Sequence, residues 1–174
     1  MSFTPDSVKQ LLISEELGDR LSGVNQLRQI EPAIAFELIQ TPIKDKDTRV
    51  RYAAVSQMSS LGEQNLTISQ EILCECLLKD PEPDVQAAAA DAMGALKMTQ
   101  AFDDLLQVYQ NTPEWLVKLS IVAAVGEIGE PKAFYLLEDA LKSDNELIQT
   151  IAISALGELG NLEAIPLLKP FAIH

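Results

Sequence analysis

Apolar residues recur three and four positions apart along almost the whole chain, in five copies of one pattern. One copy carries Val50, Ala53, Ala54, Met58 and Leu61; another carries Ile148, Ile151, Ala152, Leu156 and Leu159. That spacing puts each set on one face of an α-helix. Copies starting at Asp19, Val50, Val85, Val117 and Ile148 stay in step at intervals of 31, 35, 32 and 31 residues. A second apolar set lies between them and carries paired leucines, Leu105-Leu106, Leu136-Leu137 and Leu167-Leu168. Each repeat therefore reads as a helix A, a turn and a helix B.

The punctuation agrees. Gly62, Gly129 and Gly160 close three of the B helices, and Pro81, Pro83, Pro113 and Pro131 stand where helices begin, a place that does not need the missing N–H. The longer second interval is assigned to a loop at Gly62-Glu63-Gln64-Asn65. A helix pair this short cannot bury its apolar face alone, so the pairs must stack into one continuous core. The expected fold is an all-α, right-handed solenoid of about five helix pairs, one domain over residues 1–174, with the B helices lining the concave side. An apolar share of 47% with 5% aromatic residues suits such a stack better than a sandwich or barrel. The last repeat is expected to be incomplete: helix A around Glu163 to Phe171 has no B helix after it before His174. Leu167, Leu168 and Phe171 should then be exposed, covered either by further chain or by another subunit through an open carboxy-terminal end.

Charge narrows the partners. A formal net charge of −13 argues against nucleic acid, which needs a basic stripe, and against anionic membrane surfaces. No apolar stretch is long enough to span a bilayer, and the residues after Met1 lack the basic start and apolar run of a leader, so a cytoplasmic location is expected. All four arginines, Arg20, Arg28, Arg49 and Arg51, lie in the first third. They read either as an anion-recognition patch, since guanidinium grips carboxylates in bidentate fashion, or as ordinary surface ion pairs.

Groups suited to catalysis are scarce. The single histidine is the terminal His174, which leaves no histidine inside a cleft for a nucleophile–base pair. Cys74 and Cys76 sit about 200° apart around a helix, which disfavours a shared metal or a disulfide and makes one core-facing and the other lightly packed. No metal site is expected. Gly126-Glu127-Ile128-Gly129 and Gly157-Glu158-Leu159-Gly160 are helix ends rather than phosphate loops.

The B-helix face opposite the core holds the second, sixth and ninth positions after each repeat start. The second gives Leu21, Tyr52, Ala87, Leu119 and Thr150; the sixth gives Asn25, Ser56, Asp91, Ala123 and Ser154; the ninth gives Arg28, Ser59, Gly94, Gly126 and Gly157. The small residues either let neighbouring helices pack closely or leave room for a ligand in the groove.

The phrases Asp-Thr-Arg-Val-Arg-Tyr-Ala-Ala-Val (47–55), Glu-Pro-Asp-Val-Gln-Ala-Ala-Ala-Ala-Asp-Ala-Met-Gly (82–94) and Ala-Leu-Gly-Glu-Leu-Gly-Asn-Leu-Glu-Ala-Ile-Pro-Leu-Leu (155–168) resemble the short HEAT-like repeat of the phycobilisome lyases. The resemblance runs from about Ser14 onward. The run from Ser7 through Asp19-Arg20 and Val24 to Arg28, then Ala33 to Gln40, together with Thr112 to Val117, is similar to the NblB-type phycobilisome degradation family. The resemblance implies a protein that acts on phycobiliproteins such as phycocyanin and allophycocyanin, detaching bilin during antenna breakdown. The alternatives it implies are attachment of bilin as a CpcE/CpcF-like lyase subunit, or a non-catalytic adaptor that delivers phycobilisome parts to a protease. It implies no bound cofactor, a bilin such as phycocyanobilin as ligand, and association with the cytoplasmic thylakoid face through phycobilisomes. On this footing the bilin propionates, or acidic groups of the carrier protein, are expected to meet Arg20, Arg28 and Arg51. Tyr52 would stack on the tetrapyrrole, Asp91 and Leu119 would lie further along the groove, and Arg49 is assigned to an ion pair or cap.

Overall fold

A computed structural model describes residues 3–172; His174 lies outside them. The described residues form eleven α-helices joined by short 3-10 turns and contain no strand. Helices α1 (Pro5–Leu12), α3 (Pro32–Ile39), α5 (Leu66–Lys79), α7 (Phe102–Asn111), α9 (Phe134–Ala140) and α11 (Ala164–Leu168) are of type A. Helices α2 (Leu17–Gln26), α4 (Thr48–Leu61), α6 (Pro83–Ala95), α8 (Trp115–Ile128) and α10 (Glu146–Leu159) are of type B. Five complete pairs are thus present, and the unpaired A helix, α11, is a sixth rather than part of the fifth. The extra residues of the second interval are taken up by α5, which runs to 14 residues against 10 in α7 and 7 in α9, and not by the turn before it.

One local device starts every B helix. Five residues before each repeat start stands Ser14, Asp45, Asp80, Thr112 or Ser143, whose side-chain oxygen accepts the backbone N–H two residues on, at 2.8–3.1 Å. The residue supplying that N–H, Glu16, Asp47, Glu82, Glu114 or Asn145, is in turn the N-cap. Ser, Thr and Asp side chains hold such turns because their short polar arms reach backbone donors that would otherwise go unpaired. Gly129 and Gly160 close α8 and α10 in the left-handed region, at φ 73° and 72°. Gly62 instead stays right-handed and leads into a 3-10 turn, with φ −59°.

One apolar core runs the length of the stack, from Val8 to Ala164. Neighbouring B helices pack directly on one another, α4 on α6, α6 on α8 and α8 on α10, whereas the A helices touch far less. The tighter row is the inner one, so the B helices line the concave side. Glycines make this approach possible. A Cβ at Gly94 would lie 2.8 Å from Ala124 Cα, and one at Gly126 would lie 2.7 Å from Ala155 Cβ. The small ninth-position residues in mid-stack therefore serve helix packing. Gly157, their counterpart in α10, has nothing within 4 Å.

The carboxy-terminal end is open in part. Leu136 and Leu137 are 4% and 0% exposed, while Leu167, Leu168 and Phe171 are only half-buried against the core. Leu162 and Ile165, at 78% and 54%, are exposed apolar side chains of this end.

Candidate functional site

The residue after the repeat start has a common task in four of the five repeats, and it corrects two site assignments. In the first two repeats it is arginine. Arg20 donates from Nε and one terminal nitrogen to both Asp45 oxygens, at 2.9 and 3.3 Å, and from the other to the carbonyls of Ser14 and Glu15. Arg51 repeats the arrangement with both Asp80 oxygens, at 2.9 and 3.2 Å, and the carbonyls of Asp45 and Lys46. The side chains of the two pairs are between 7% and 13% exposed. Each pair ties one repeat to the turn of the next, so Arg20 and Arg51 are committed to these joints rather than held out for a ligand on the concave face. Gln86 and Gln149, at the same position, donate to the carbonyls of Leu77 and Leu141.

The concave groove lies across α4, α6 and α8 and encloses about 340 Å³. Tyr52 from α4, 49% exposed, Asp84, Ala87 and Asp91 from α6, and Leu116 and Ser120 from α8 line it. It thus brings together Tyr52 and Asp91 of the expected set. Arg28 is exposed on the turn Leu27–Gln29 and does not line this groove; Leu119 is half-buried and packs against the core. The guanidinium that does reach the groove is that of Arg49. It is held by Asp47 through two hydrogen bonds of 3.1 and 2.9 Å, which is the ion pair expected of it, while remaining 68% exposed. Arg49's hydrogen bonds hold the Asp47 carboxyl down at about 2.

Toward the carboxy-terminal side the groove turns acidic. Desolvation by the helix walls raises the pKa of Asp91, offset in part by Ser120. Glu127 on α8 is raised too, by desolvation first and then by the negative charges of Asp91 and Glu158, with Lys97 opposing. Such a surface can hold and orient a partner, and it offers a tyrosine ring and carboxylates rather than the cationic cradle expected from Arg20, Arg28 and Arg51. The cysteines follow expectation: Cys76 is buried and Cys74 half-buried, and burial pushes both thiols up to about 11, away from thiolate chemistry. Among the described residues no three His, Cys, Asp or Glu side chains gather as metal ligands.

The signal that sequence reading missed is the position just after each repeat start: Arg20, Arg51, Gln86, Lys118 and Gln149. All are long and polar, and Asp45 and Asp80 stand in the next repeat's turn wherever the residue is arginine.

Comparison with known proteins follows the same lines. The family model described as HEAT repeats matches residues 70–157 and 102–174. An uncharacterized phycocyanin operon protein Z from Pseudanabaena tenuis is 25% identical over 134 residues, covering 73% of this chain and 64% of that protein. The bilin biosynthesis proteins PecE of Nostoc sp. and Mastigocladus laminosus are each 25% identical over 150 residues, covering 83% of this chain and 58% and 55% of theirs. The chain thus spans between 55% and 64% of the length of these relatives. Among solved structures, the complex of CpcE and CpcF of phycocyanin lyase from Nostoc sp. matches 98% of this chain and 69% of the matched chain. The TM-score is 0.78 at 22% identity, a likeness of fold.

Proposed function

The chain belongs to the HEAT-repeat family, and on that footing we propose that it handles phycobiliproteins in the manner of a bilin-lyase subunit, holding the protein along its concave groove while bilin is attached. What carries the reading is that relatives similar over 73–83% of the chain are named for bilin biosynthesis and the phycocyanin operon. The fold match to a phycocyanin lyase complex supports it. The attachment reading takes precedence over detachment during antenna breakdown because two of the relatives above are named for bilin biosynthesis and the solved structure for a lyase. The groove's chemistry also suits positioning. A shallow surface of Tyr52, Asp91 and Ser120 works by holding two reactants in register, which lowers a barrier without a nucleophile of its own.

The test is to mix the purified chain, with and without a candidate second subunit, with apo-phycocyanin and phycocyanobilin, and to measure covalently attached chromophore on denaturing gels. Attachment above the spontaneous rate is expected in at least one mixture, together with co-elution of the chain with apo-phycocyanin. Tyr52→Ala is expected to weaken that co-elution. Absence of any association with apo- or holo-phycocyanin would sink the proposal. Loss of the visible bilin band from holo-phycocyanin would return the reading to detachment.

A further inference from the structure

On the outer side, the cleft between α7 and α9 departs from the rest of the surface. It encloses about 570 Å³, within the range of small-molecule sites, and Phe102, Tyr109 and Tyr135 give it aromatic walls. Two of the three tyrosines of an aromatic-poor chain are here. Tyr109 is 7% exposed and fixed by donating its hydroxyl to Asp139 at 2.8 Å. Tyr135 is 75% exposed and stands edge-on to Phe134, ring centroids 5.5 Å apart at 85°.

Two ammonium groups guard the opening. Lys118 Nζ lies 5.6 Å from the centre of the Tyr109 ring, and Lys132 Nζ 4.7 Å from that of Phe102. Lys118 is the exception in its register. The residues equivalent to it spend their polar ends on backbone carbonyls, whereas the Lys118 side chain makes no hydrogen bond or ion pair among the described residues. The turn residue that would answer it is Ser143, not aspartate. Lys132 reaches only Asp103, at 3.7 Å, with both side chains mostly in water. Within the lining, two ammonium groups face one carboxylate, Asp139, whose Oδ2 is already engaged by Tyr109.

We propose that this cleft binds a planar conjugated carboxylate of the linear tetrapyrrole class, with its rings against Tyr109 and Tyr135 and its carboxylates on Lys118 and Lys132. The pairing of rings with carboxylates follows from the cleft; the choice of a tetrapyrrole rests on the bilin-handling reading above. The bilin then lies on the outer side of the stack, and the concave groove is left to the carrier protein.

Biliverdin titrated into the full chain, followed by its visible band, tests this. The wild type should bind saturably. The double variant Lys118→Ala/Lys132→Ala should bind about tenfold more weakly or worse, the loss expected for charge-assisted hydrogen bonds. Biliverdin dimethyl ester should show a similar loss on the wild type, and Tyr135→Ala should weaken both ligands. Unchanged helical circular dichroism shows that the variants fold. The proposal is overturned by absence of saturable binding, by a double variant that binds as the wild type does, by an ester as tight as the diacid, or by a loss that follows Tyr52→Ala instead. Co-elution with apo-phycocyanin but no biliverdin binding sinks the cleft alone; loss of both sinks the bilin-handling reading with it.

Discussion

Repeats two and four carry a long basic side chain at the same register, and they use it in opposite ways. Arg51 is closed into the joint between repeats by both oxygens of Asp80, while Lys118 meets Ser143 in the equivalent turn and stays free over a tyrosine ring. Both members of the pair differ: a forked guanidinium faces aspartate in one repeat, and a single ammonium faces serine in the other. Where the next turn offers aspartate, the cation becomes part of the frame; where it offers serine, the cation is left for something outside the chain. In a solenoid, where each unit touches only its neighbours, changing the pair at one joint is enough to convert a structural position into a surface one.

The comparison breaks first at Arg51. Arg51→Ala leaves the Asp80 carboxylate, whose side chain is 8% exposed, without its partner, and two backbone carbonyls lose a donor. Breaking a buried pair from one side costs about 3 kcal/mol, the low end of the range, because this pair sits near the surface. Lys118→Ala should change stability by no more than about 0.5 kcal/mol, as an ordinary surface substitution does. Urea unfolding followed by circular dichroism checks both, and equal losses would abolish the distinction drawn between the two repeats.

The glycines sharpen the same contrast between a joint that is filled and one that is not. Gly126→Ala places a Cβ 2.7 Å from that of Ala155, so α8 and α10 must separate, at a cost of about 1 to 3 kcal/mol. Gly157→Ala occupies the same register on α10 with nothing within 4 Å. There the gain in helix propensity should prevail, stabilising the chain by about 0.5 to 1 kcal/mol. A destabilised Gly157→Ala would mean that α10 is not free on that side. If a second subunit packs on α10, Gly157→Leu should weaken its association while leaving the isolated chain folded.

Much of the architecture could be read from the sequence, because a repeated core face writes the same spacing five times. Val50, Val85, Val117 and Ile148 are all buried as that spacing requires. The packing role of Gly94 and Gly126 was one of two readings, since a glycine looks the same in sequence whether it admits a helix or a ligand. The sequence did not disclose the fate of Arg20 and Arg51, because their carboxylate partners lie 25 and 29 residues away, beyond the next A helix. Clustering of arginines along the chain therefore left a patch and ion pairing equally open, and two of the four are consumed inside joints. The groove residues Tyr52 and Asp91 were legible from helix periodicity alone, while the outer cleft was not, since Tyr109, Lys118 and Tyr135 come from three helices with no shared register.

The smallest effect concerns pH and compares the two ends of the concave groove. At the Arg49 end, Asp47 has its carboxyl held at about 2, below the ordinary aspartate value of 3.8. A lowered folded-state pKa means that the unfolded chain binds the proton more readily, so the contribution is complete above about pH 4 and is lost as pH falls through about 2. At the acidic end, Asp91 and Glu127 are raised, so the folded state binds protons more readily there and stability rises as pH falls through their folded values. Unfolding midpoints measured across acid pH should show Asp47→Asn losing less stability than the wild type between about pH 4 and 2. Glu127→Gln should instead be more stable than the wild type near neutral pH and lose that advantage on acidification, once Glu127 itself is protonated in both folded and unfolded chains. Water screens both groups, so the shifts should be small. Parallel pH profiles for the wild type and both variants would show that the groove has no such division between its ends.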